Sequence, residues 1–235
     1  MKRWALLVAL TAAGCLGAAP VKMLVVTGRH AYPASFFTML DSLPEVSWIH
    51  LHGHAEAFAR PLEDRYDVLL LHDMEEITTQ QTRARLQAFL NAGKGVISLH
   101  HSIVDYTDWP YWYQEVTGGK FFTKPVEGHP ASRYHEDVKF LVKPAPGKAG
   151  HPVLQGVGPI EVYDEAYSGM LFSPKIEVLM ETDFAENDRP VVYIGPHAKA
   201  RVVYIQLGHS DHTMHQPEFR KLVGNTVHWV ARQTN

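Results

Sequence analysis

The chain has 235 residues, of which 46% are hydrophobic and 20% are charged, and this composition is typical of a globular protein that builds a core without disulfides or structural metals. The formal net charge is −3, and no run of Lys or Arg is long enough to indicate nucleic-acid binding, so nucleic acid is not an expected partner. Fifteen residues are His, the commonest metal ligand and the usual general acid or base near neutral pH. Their positions decide whether they form a site.

Residues 1–20 have the pattern of a secretory signal peptide. Lys2 and Arg3 precede an apolar run (Trp4–Ala13), and small residues follow it. The apolar run is shorter than the roughly 20 residues that a membrane-spanning helix needs. We therefore expect an exported protein, periplasmic or at the outer surface, with a single domain over residues 21–235.

Cys15, the only cysteine, ends the segment "TAAGC" and raises a second possibility for the leader. A lipoprotein signal also places small residues before a cysteine that is lipidated, although Ala12 stands where a large aliphatic residue is usual. Cleavage between Gly14 and Ala19 is the other option. A lipid anchor at Cys15 is the only membrane contact that we expect, and the mature chain has no thiol for catalysis in either case.

Apolar runs alternate with segments of helical periodicity over the first half of the chain. Strands are predicted at residues 21–28, 46–53, 66–74 and 95–101, and helices at residues 34–43 and 78–93. The runs "VKMLVVTG" and "YDVLLLHDM" are apolar throughout, which is typical of parallel strands covered on both faces. This order of short strands and helices predicts an α/β fold with a doubly wound parallel sheet.

The second half of the chain is richer in β-structure. Between Gly118 and Glu186 the predicted strands are short, and Gly and Pro are frequent. The segment 190–209 is typical of two strands joined by a turn, and residues 217–233 form an amphipathic helix that begins at a proline. We therefore expect one domain that carries an additional β-rich segment.

Histidines stand where four of the predicted core strands end. These strand ends are Gly28-Arg29-His30, His72-Asp73, His100-His101 and Gly208-His209-Ser210-Asp211-His212. The carboxyl ends of parallel strands share one edge of the sheet, where ligands bind in this class of fold. A single such histidine is more often a structural, hydrogen-bonded residue, but four together predict a shared polar site.

His100 and His101 cannot both face that site while the strand stays extended, because side chains alternate along a strand. The sequence does not say which of them faces the site. Asp164 and Glu165 follow in a segment that otherwise looks buried, where carboxylates need partners. With His209 they predict either an acid/base system or a divalent metal site held by His100, His101, His209 and Glu165; a solvated strand edge is the alternative.

The stretch "DYTDWPYWYQEV" offers substrate-binding candidates beside this site. Trp109 and Trp112 are suited to stacking on sugar rings; packing of a helix onto the sheet is the alternative for the aromatic residues. Asp105 in this stretch and Asp211 after the last strand are further substrate-binding candidates. No G-x-G-x-x-G or P-loop is present, so no nucleotide cofactor is expected. The chain also lacks the G-x-S-x-G motif of serine hydrolases.

Four segments carry a resemblance to a known family: "GKGVISLHHSIVDYTDWPYWYQEVTGGKF", "HPVLQGV", "EVYDEAY" and "ARVVYIQLGHSDHTMHQPEFRKLVGNTVHWVA". In order and spacing they are similar to the ThuA-like (trehalose utilisation) proteins of the class I glutamine amidotransferase-like superfamily. The resemblance implies a flavodoxin-like three-layer sandwich with a doubly wound, mostly parallel sheet. It places at the family's characteristic positions His100, His101, Asp164, Glu165, Gly208 and His209.

In the family the turn "TGRH" is usually a Gly-Gly-His-like loop, so Arg29 here adds a cation, and we take Arg29 and His30 as substrate-binding candidates. The family's association with disaccharide use implies a small-molecule carbohydrate or a 3-keto sugar as the ligand. The leading hypothesis is thus an exported enzyme that hydrolyses, eliminates or isomerises a sugar derivative. The alternatives are a non-catalytic carbohydrate-binding protein at the cell surface and a scaffold for protein interaction; a homo-oligomer is compatible with all three.

Overall fold

The computed structural model describes residues 19–232. The predictions for the leader, including lipidation of Cys15, therefore fall almost entirely outside the described residues. Within residues 19–232, no helix has the length and apolar character needed to cross a membrane.

Eleven strands and five α-helices make up the described part of the chain. The strands are β1 (Val21–Gly28), β2 (Val46–His52), β3 (Val68–Asp73), β4 (Gly95–Leu99), β5 (Gly119–Lys120), β6 (Arg133–Pro144), β7 (Ile160–Ser168), β8 (Leu171–Phe172), β9 (Glu177–Glu181), β10 (Pro190–Ile194) and β11 (Val202–Ile205). The helices are α1 (Ser35–Asp41), α2 (His54–Ala57), α3 (Gln80–Asn91), α4 (Asp211–His215) and α5 (Pro217–Val230).

Nine strands form one mixed sheet in the order β2-β1-β3-β4-β11-β10-β9-β6-β7. The first five of these strands are parallel, and the remaining pairs are antiparallel. The parallel part is the predicted doubly wound core, and the antiparallel part is the predicted β-rich extension. The class of fold expected from the sequence is therefore confirmed.

Helices cover both faces of the parallel strands, which explains why these strands are apolar throughout. Side chains alternate along β1, so that Met23 and Val25 pack with α1 and α5 while Leu24 and Val26 pack with α3. Helix α3 begins at Thr79, whose side-chain oxygen accepts a hydrogen bond from the backbone N–H of Thr82. The result is a three-layer sandwich of helix, sheet and helix.

The structure differs from the predicted elements at three places. Strand β4 ends at Leu99, two residues earlier than predicted, because the chain turns sharply at His100. Strand β6 is 12 residues long where only short strands were predicted, because its first residues pair with β7 and extend beyond β9. The short helices α2 and α4 and a π-helical turn at Trp112–Val116 were not predicted, since segments of one turn carry too little periodicity to be recognised.

A buried ion network fixes the segment that follows β4. It consists of His54, Asp73, Asp105 and Lys120, all of which are buried. The Lys120 ammonium donates to the carbonyl oxygen of Val104 and, at 2.9 Å, to that of Asp105. His54 Nε2 pairs with an Asp73 carboxylate oxygen. Because an unpaired buried charge is costly, the members of the network depend on one another.

The carboxyl group of Asp105 in the buried ion network is influenced by that of Asp73. Burial first, and then the charge of Asp73, raise the pKa of Asp105 well above its usual range, and a hydrogen bond with Asp73 raises it further. Asp105 Oδ1 accepts the backbone N–H of Glu75 at 2.7 Å, while its Oδ2 and Asp73 Oδ1 have no other partner among the described residues. We infer that Asp105 is protonated and donates to Asp73.

This protonation predicts the pH dependence of an Asp105→Asn variant. Folded Asp105 keeps a proton that the unfolded carboxyl, with a pKa of about 3.9, has released, so its contribution to stability declines as the pH rises. The amide preserves both hydrogen bonds without the proton. Between about pH 5 and 8, the variant should gain up to about 1.4 kcal/mol per pH unit over the wild type in free energy of unfolding. Urea titrations across this range measure it; parallel curves would contradict the assignment, and the exposed Asp64→Asn serves as control.

Candidate functional site

The turn after β4 determines how the two adjacent histidines are placed. His100 has a φ of 52°, in the left-handed region, and begins a 3-10 helix over His100–Val104. A sharp turn after a core strand of an α/β sheet is also where α/β-hydrolases place their nucleophile. Because the strand has ended, the two rings need not point to opposite faces. His100 is fully buried, whereas His101 lines a cavity.

His100 holds other residues in place and is not itself open to the cavity. Its Nδ1 lies 2.5 Å from the carbonyl oxygen of Gln206, which can only accept, so Nδ1 carries a proton. Its Nε2 lies 3.1 Å from the Tyr167 hydroxyl and 3.3 Å from a Glu165 carboxylate oxygen. His100 therefore ties the end of β11 to the carboxylate of β7.

Beside His100, three other imidazole rings lie close together, those of His30, His101 and His209. His30 stacks on His101 with ring centroids 3.4 Å apart, and His209 lies 5.5 Å from His101 and 6.0 Å from His30. One nitrogen of each ring lies within 4.8 Å of the others. Burial first, and then neighbouring histidines, lower the pKa of His101 far below its usual range. His101 is therefore neutral, which is the form that binds metals and accepts protons.

Glu165 completes this group, and we refer to His30, His101, His209 and Glu165 as the histidine–glutamate cluster. The Glu165 carboxylate lies 3.5 Å from His209 Nε2 and 3.7 Å from His101 Nε2. Burial opposes its charge, but the hydrogen bond and charge of His100 and the charge of His209 together lower the pKa of Glu165. The Tyr167 hydroxyl also donates to this carboxylate at 2.8 Å. Glu165 is thus an ionised carboxylate beside neutral imidazole.

Asp164, unlike the adjacent Glu165, is a positioning residue. Its carboxylate accepts the backbone N–H groups of Gly208 at 2.9 Å, His209 at 3.0 Å and Glu165 at 2.9 Å. The residue is buried and does not line the cavity. The bonds from Gly208 and His209 join β7 to the chain that leaves β11, so Asp164 sets the position of His209 relative to Glu165.

A cavity of about 360 Å³ opens at the histidine–glutamate cluster, within the size range of small-molecule sites. Both apolar and polar side chains line it. Besides the cluster, the residues that line it are Met74, Val104, Phe121, Thr123, Ser132, Tyr134, Glu136 and Tyr167. The position beyond the carboxyl ends of parallel strands is the one expected for this class of fold.

The structure brings together most of the predicted site residues. They are His30, His100, His101, Asp164, Glu165 and His209. His72, on the strand end next to β4, is buried behind them, and its ring lies 6.3 Å from those of His100 and His101. Burial and the neighbouring His100 lower the pKa of His72 to about 3, so it adds no charge to the site.

Five predicted substrate-binding residues lie away from this cavity. Trp109 and Trp112 are buried in the core against the sheet, as the alternative for these aromatic residues proposed. Asp105 belongs to the buried ion network, and the side chain of Asp211 is exposed and pairs with His215. Arg29 pairs with Glu75 at 2.6 Å and borders a separate cavity of about 800 Å³. None of the five is therefore retained in the proposed site.

Tyr167 and Tyr134 are site residues that the sequence reasoning missed. Tyr167 stands two residues after Glu165 on β7, so the alternation of side chains places both on one face and could have identified it. Tyr134 reaches the cavity only because β6 pairs with β7, and nothing local in the sequence indicates that pairing.

The fold and site place the protein among the flavodoxin-like, class I glutamine amidotransferase-like α/β proteins. The family model for trehalose utilisation, ThuA, matches residues 29–230, so the chain belongs to the ThuA family. No curated protein sequence matches the chain.

Solved structures show the same fold at low sequence identity. A ThuA-like protein of Parabacteroides merdae has a TM-score of 0.78 and 17% identity, with 92% of this chain and 91% of that chain covered. A ThuA-like protein of Bacteroides uniformis has a TM-score of 0.67 and 19% identity, with coverage of 91% and 92%. Agd3, described as a carbohydrate deacetylase, has a TM-score of 0.61 and 11% identity, with 91% of this chain but 32% of that chain covered.

Proposed function

We propose that the protein is an exported enzyme that acts on a carbohydrate or keto-sugar derivative. The observation that carries the proposal is the histidine–glutamate cluster, in which an ionised Glu165 and a neutral His101 face a cavity of small-molecule size. Groups of this kind, with pKa values shifted in a cleft, are typical of acid/base sites. Membership of a trehalose utilisation family, and the carbohydrate chemistry of a protein with this fold, support the substrate class.

The cluster supports proton transfer at a carbon next to a ketone. A keto group on a sugar acidifies the adjacent C–H, and a neutral imidazole within reach can take that proton. In the proposed reaction His101 accepts the proton, and His209, half-exposed at the cavity, returns one to the leaving oxygen or to the neighbouring carbon. Transfer of the proton to the leaving oxygen completes elimination of the glycosidic oxygen. Transfer to the neighbouring carbon completes isomerisation. Glu165 orients both rings, and it stabilises the positive charge that forms on His101 and the charge that His209 carries before it gives up its proton.

The same residues fit a divalent metal ion. Three imidazole nitrogens within 4.8 Å of one another and an ionised carboxylate beside them form a donor set typical of zinc and other borderline first-row metals. As the alternative to proton transfer by these imidazoles, we propose that His30, His101, His209 and Glu165 would hold the ion, with His100 and Tyr167 orienting the carboxylate. When bound, such an ion polarises a carbonyl oxygen as a Lewis acid.

The test combines elemental analysis with turnover of 3-keto disaccharides by the mature protein. We expect a stoichiometric divalent metal after purification without chelators, and a loss of kcat/KM of about 10²–10⁴-fold in His101→Ala. His215→Ala, which removes an exposed imidazole outside the cavity, is the matched control and should keep wild-type rates. A wild-type rate in His101→Ala would contradict the assignment. Saturable sugar binding without turnover would instead favour the non-catalytic alternative.

Export is part of the proposal and has its own measurement. We propose that residues 1–20 direct the chain out of the cytoplasm and are removed or lipidated at Cys15. Mass spectrometry of the protein from its native host distinguishes a diacylated Cys15 from cleavage further along. A full-length N-terminus beginning at Met1 would contradict both versions.

A further inference from the structure

Tyr134 is unusual among the large apolar and aromatic side chains of the described residues. It is 57% exposed, and it lines the cavity of the histidine–glutamate cluster. The other large hydrophobic residues that are exposed lie elsewhere on the surface of the described part; they are Ile49, Ile77, Tyr111 and Leu141. An exposed aromatic ring that lines a cavity beside polar groups is available to contact a ligand there.

The pairing of β6 with β7 fixes where this ring stands. Tyr134 lies directly opposite Tyr167 in the antiparallel register, so both side chains project from the same face. Tyr167 donates its hydroxyl hydrogen to Glu165. Tyr134 is therefore one strand away from a residue that contacts the cluster. Beyond this pair, a β-bulge between His135 and Val138 interrupts the ladder and ends the regular alternation.

The surroundings of Tyr134 match the two-sided chemistry of a sugar ring. A pyranose has an apolar face of C–H groups and an edge of hydroxyls. The flat apolar surface of an aromatic ring can pack against the C–H face. Glu136 lines the same cavity and is exposed, so its carboxylate can accept hydrogen bonds from hydroxyls. The cavity, at about 360 Å³, lies near the lower end of the usual range for ligand sites, which leaves room for one ring rather than for an extended chain.

We propose that Tyr134 is the stacking residue of a subsite for a single sugar ring, which holds the apolar face of that ring while its reacting edge meets the histidine–glutamate cluster. The inference rests on the proposed function and deepens it: the substrate enters as a monosaccharide or as the terminal ring of a short glycoside. Trp109 and Trp112 cannot stack on the sugar as predicted, because both indoles are in the core. In this proposal Tyr134 on β6 stacks on it instead.

Binding of defined sugars to four forms of the protein tests this subsite. The probes are methyl α-D-glucopyranoside, trehalose and the 3-keto derivatives of both, and binding is measured by calorimetry and by saturation transfer from protein to sugar protons in NMR. We expect Tyr134→Ala to weaken binding about tenfold, as the loss of one aromatic contact with its buried area would. Tyr134→Phe keeps the ring and should bind within about twofold of the wild type. Tyr111→Ala is the control, because Tyr111 is an exposed tyrosine outside the cavity.

Each outcome separates this inference from the proposed function. Equal binding by Tyr134→Ala and the wild type overturns the stacking role while the proposed enzyme stands. If Tyr134→Phe is as weak as Tyr134→Ala, the hydroxyl and not the ring face makes the contact, which also overturns stacking. Absence of binding of every probe to the wild type overturns the substrate class and the subsite together. If His101→Ala keeps the wild-type turnover while Tyr134→Ala binds the sugars more weakly, the catalytic assignment of His101 is wrong and the sugar subsite stands.

Discussion

Replacing Glu165 by Gln is expected to lower kcat/KM by about 10²–10⁴-fold while leaving the fold intact. The amide has nearly the shape of the carboxylate and can still accept the Tyr167 hydroxyl, but it carries no charge. Without that charge, the imidazolium formed when His101 takes a proton loses its closest counter-ion, 3.7 Å away. The proposed metal site would also lose its only anionic ligand.

The measurement is steady-state turnover of a 3-keto disaccharide, together with the metal content of the purified variant. Glu161→Gln is the matched control, because Glu161 lies on the same strand, is exposed and stands outside the cavity. It should keep the wild-type rate and metal content. Glu165→Gln with unchanged kcat/KM would show that the reaction, if there is one, occurs elsewhere in the molecule.

A Lys120→Met variant is expected to lose about 3–5 kcal/mol of the free energy of unfolding. The two side chains have similar length, so the substitution removes the charge with little change in volume. The ammonium is fully buried and holds the carbonyl oxygens of Val104 and Asp105. Burial lowers the pKa of Lys120 to about 8, so the group is still cationic at pH 7. Its loss leaves buried acceptors and carboxyl groups without a compensating charge.

Chemical denaturation at neutral pH measures this loss, and Lys175→Met provides the comparison. Lys175 pairs with Glu115 at 3.0 Å on the surface, where both side chains are largely exposed, so removing that charge should cost less than about 1 kcal/mol. Equal losses in the two variants would contradict the importance of the buried ion network. Reduced turnover in Lys120→Met is also expected, since the network fixes the segment after His101.

The parallel half of the sheet could be predicted from the sequence because its signal is local. Strands buried on both faces, such as β1 and β3, consist mostly of apolar residues, and in these two strands only Lys22 is exposed. The convergence of strand-end histidines followed from the same reasoning, since parallel strands present their carboxyl ends to one edge. These two arguments located His30, His101 and His209 without any knowledge of distances.

The remaining features depend on contacts between distant segments, which a local pattern does not contain. Alternation along an extended strand separated His100 from His101, but the left-handed turn at His100 brings both rings to the same side of the sheet. Trp112 looked suited to a sugar because it lies in a polar stretch, yet the π-helical turn directs it into the core. The burial of Lys120 could not be predicted either, because its carbonyl partners are set by the turn and not by its sequence neighbours.

The histidine–glutamate cluster is drawn from four stretches of chain, at the ends of β1, β4 and β11 and within β7. Each stretch contributes one side chain, and only the folded sheet supplies the spacing between them. An ion or sugar that needs all four can bind the native state alone, so its binding free energy adds by mass action to the free energy of unfolding. At a ligand concentration one hundred times Kd the gain is about 2.7 kcal/mol, comparable to a large part of a typical domain's stability. Occupancy of the cluster by such a ligand and the thermal stability of the fold are therefore linked. Where the ligand is scarce, the folded state would lose this stabilisation at the same time as the site loses its activity.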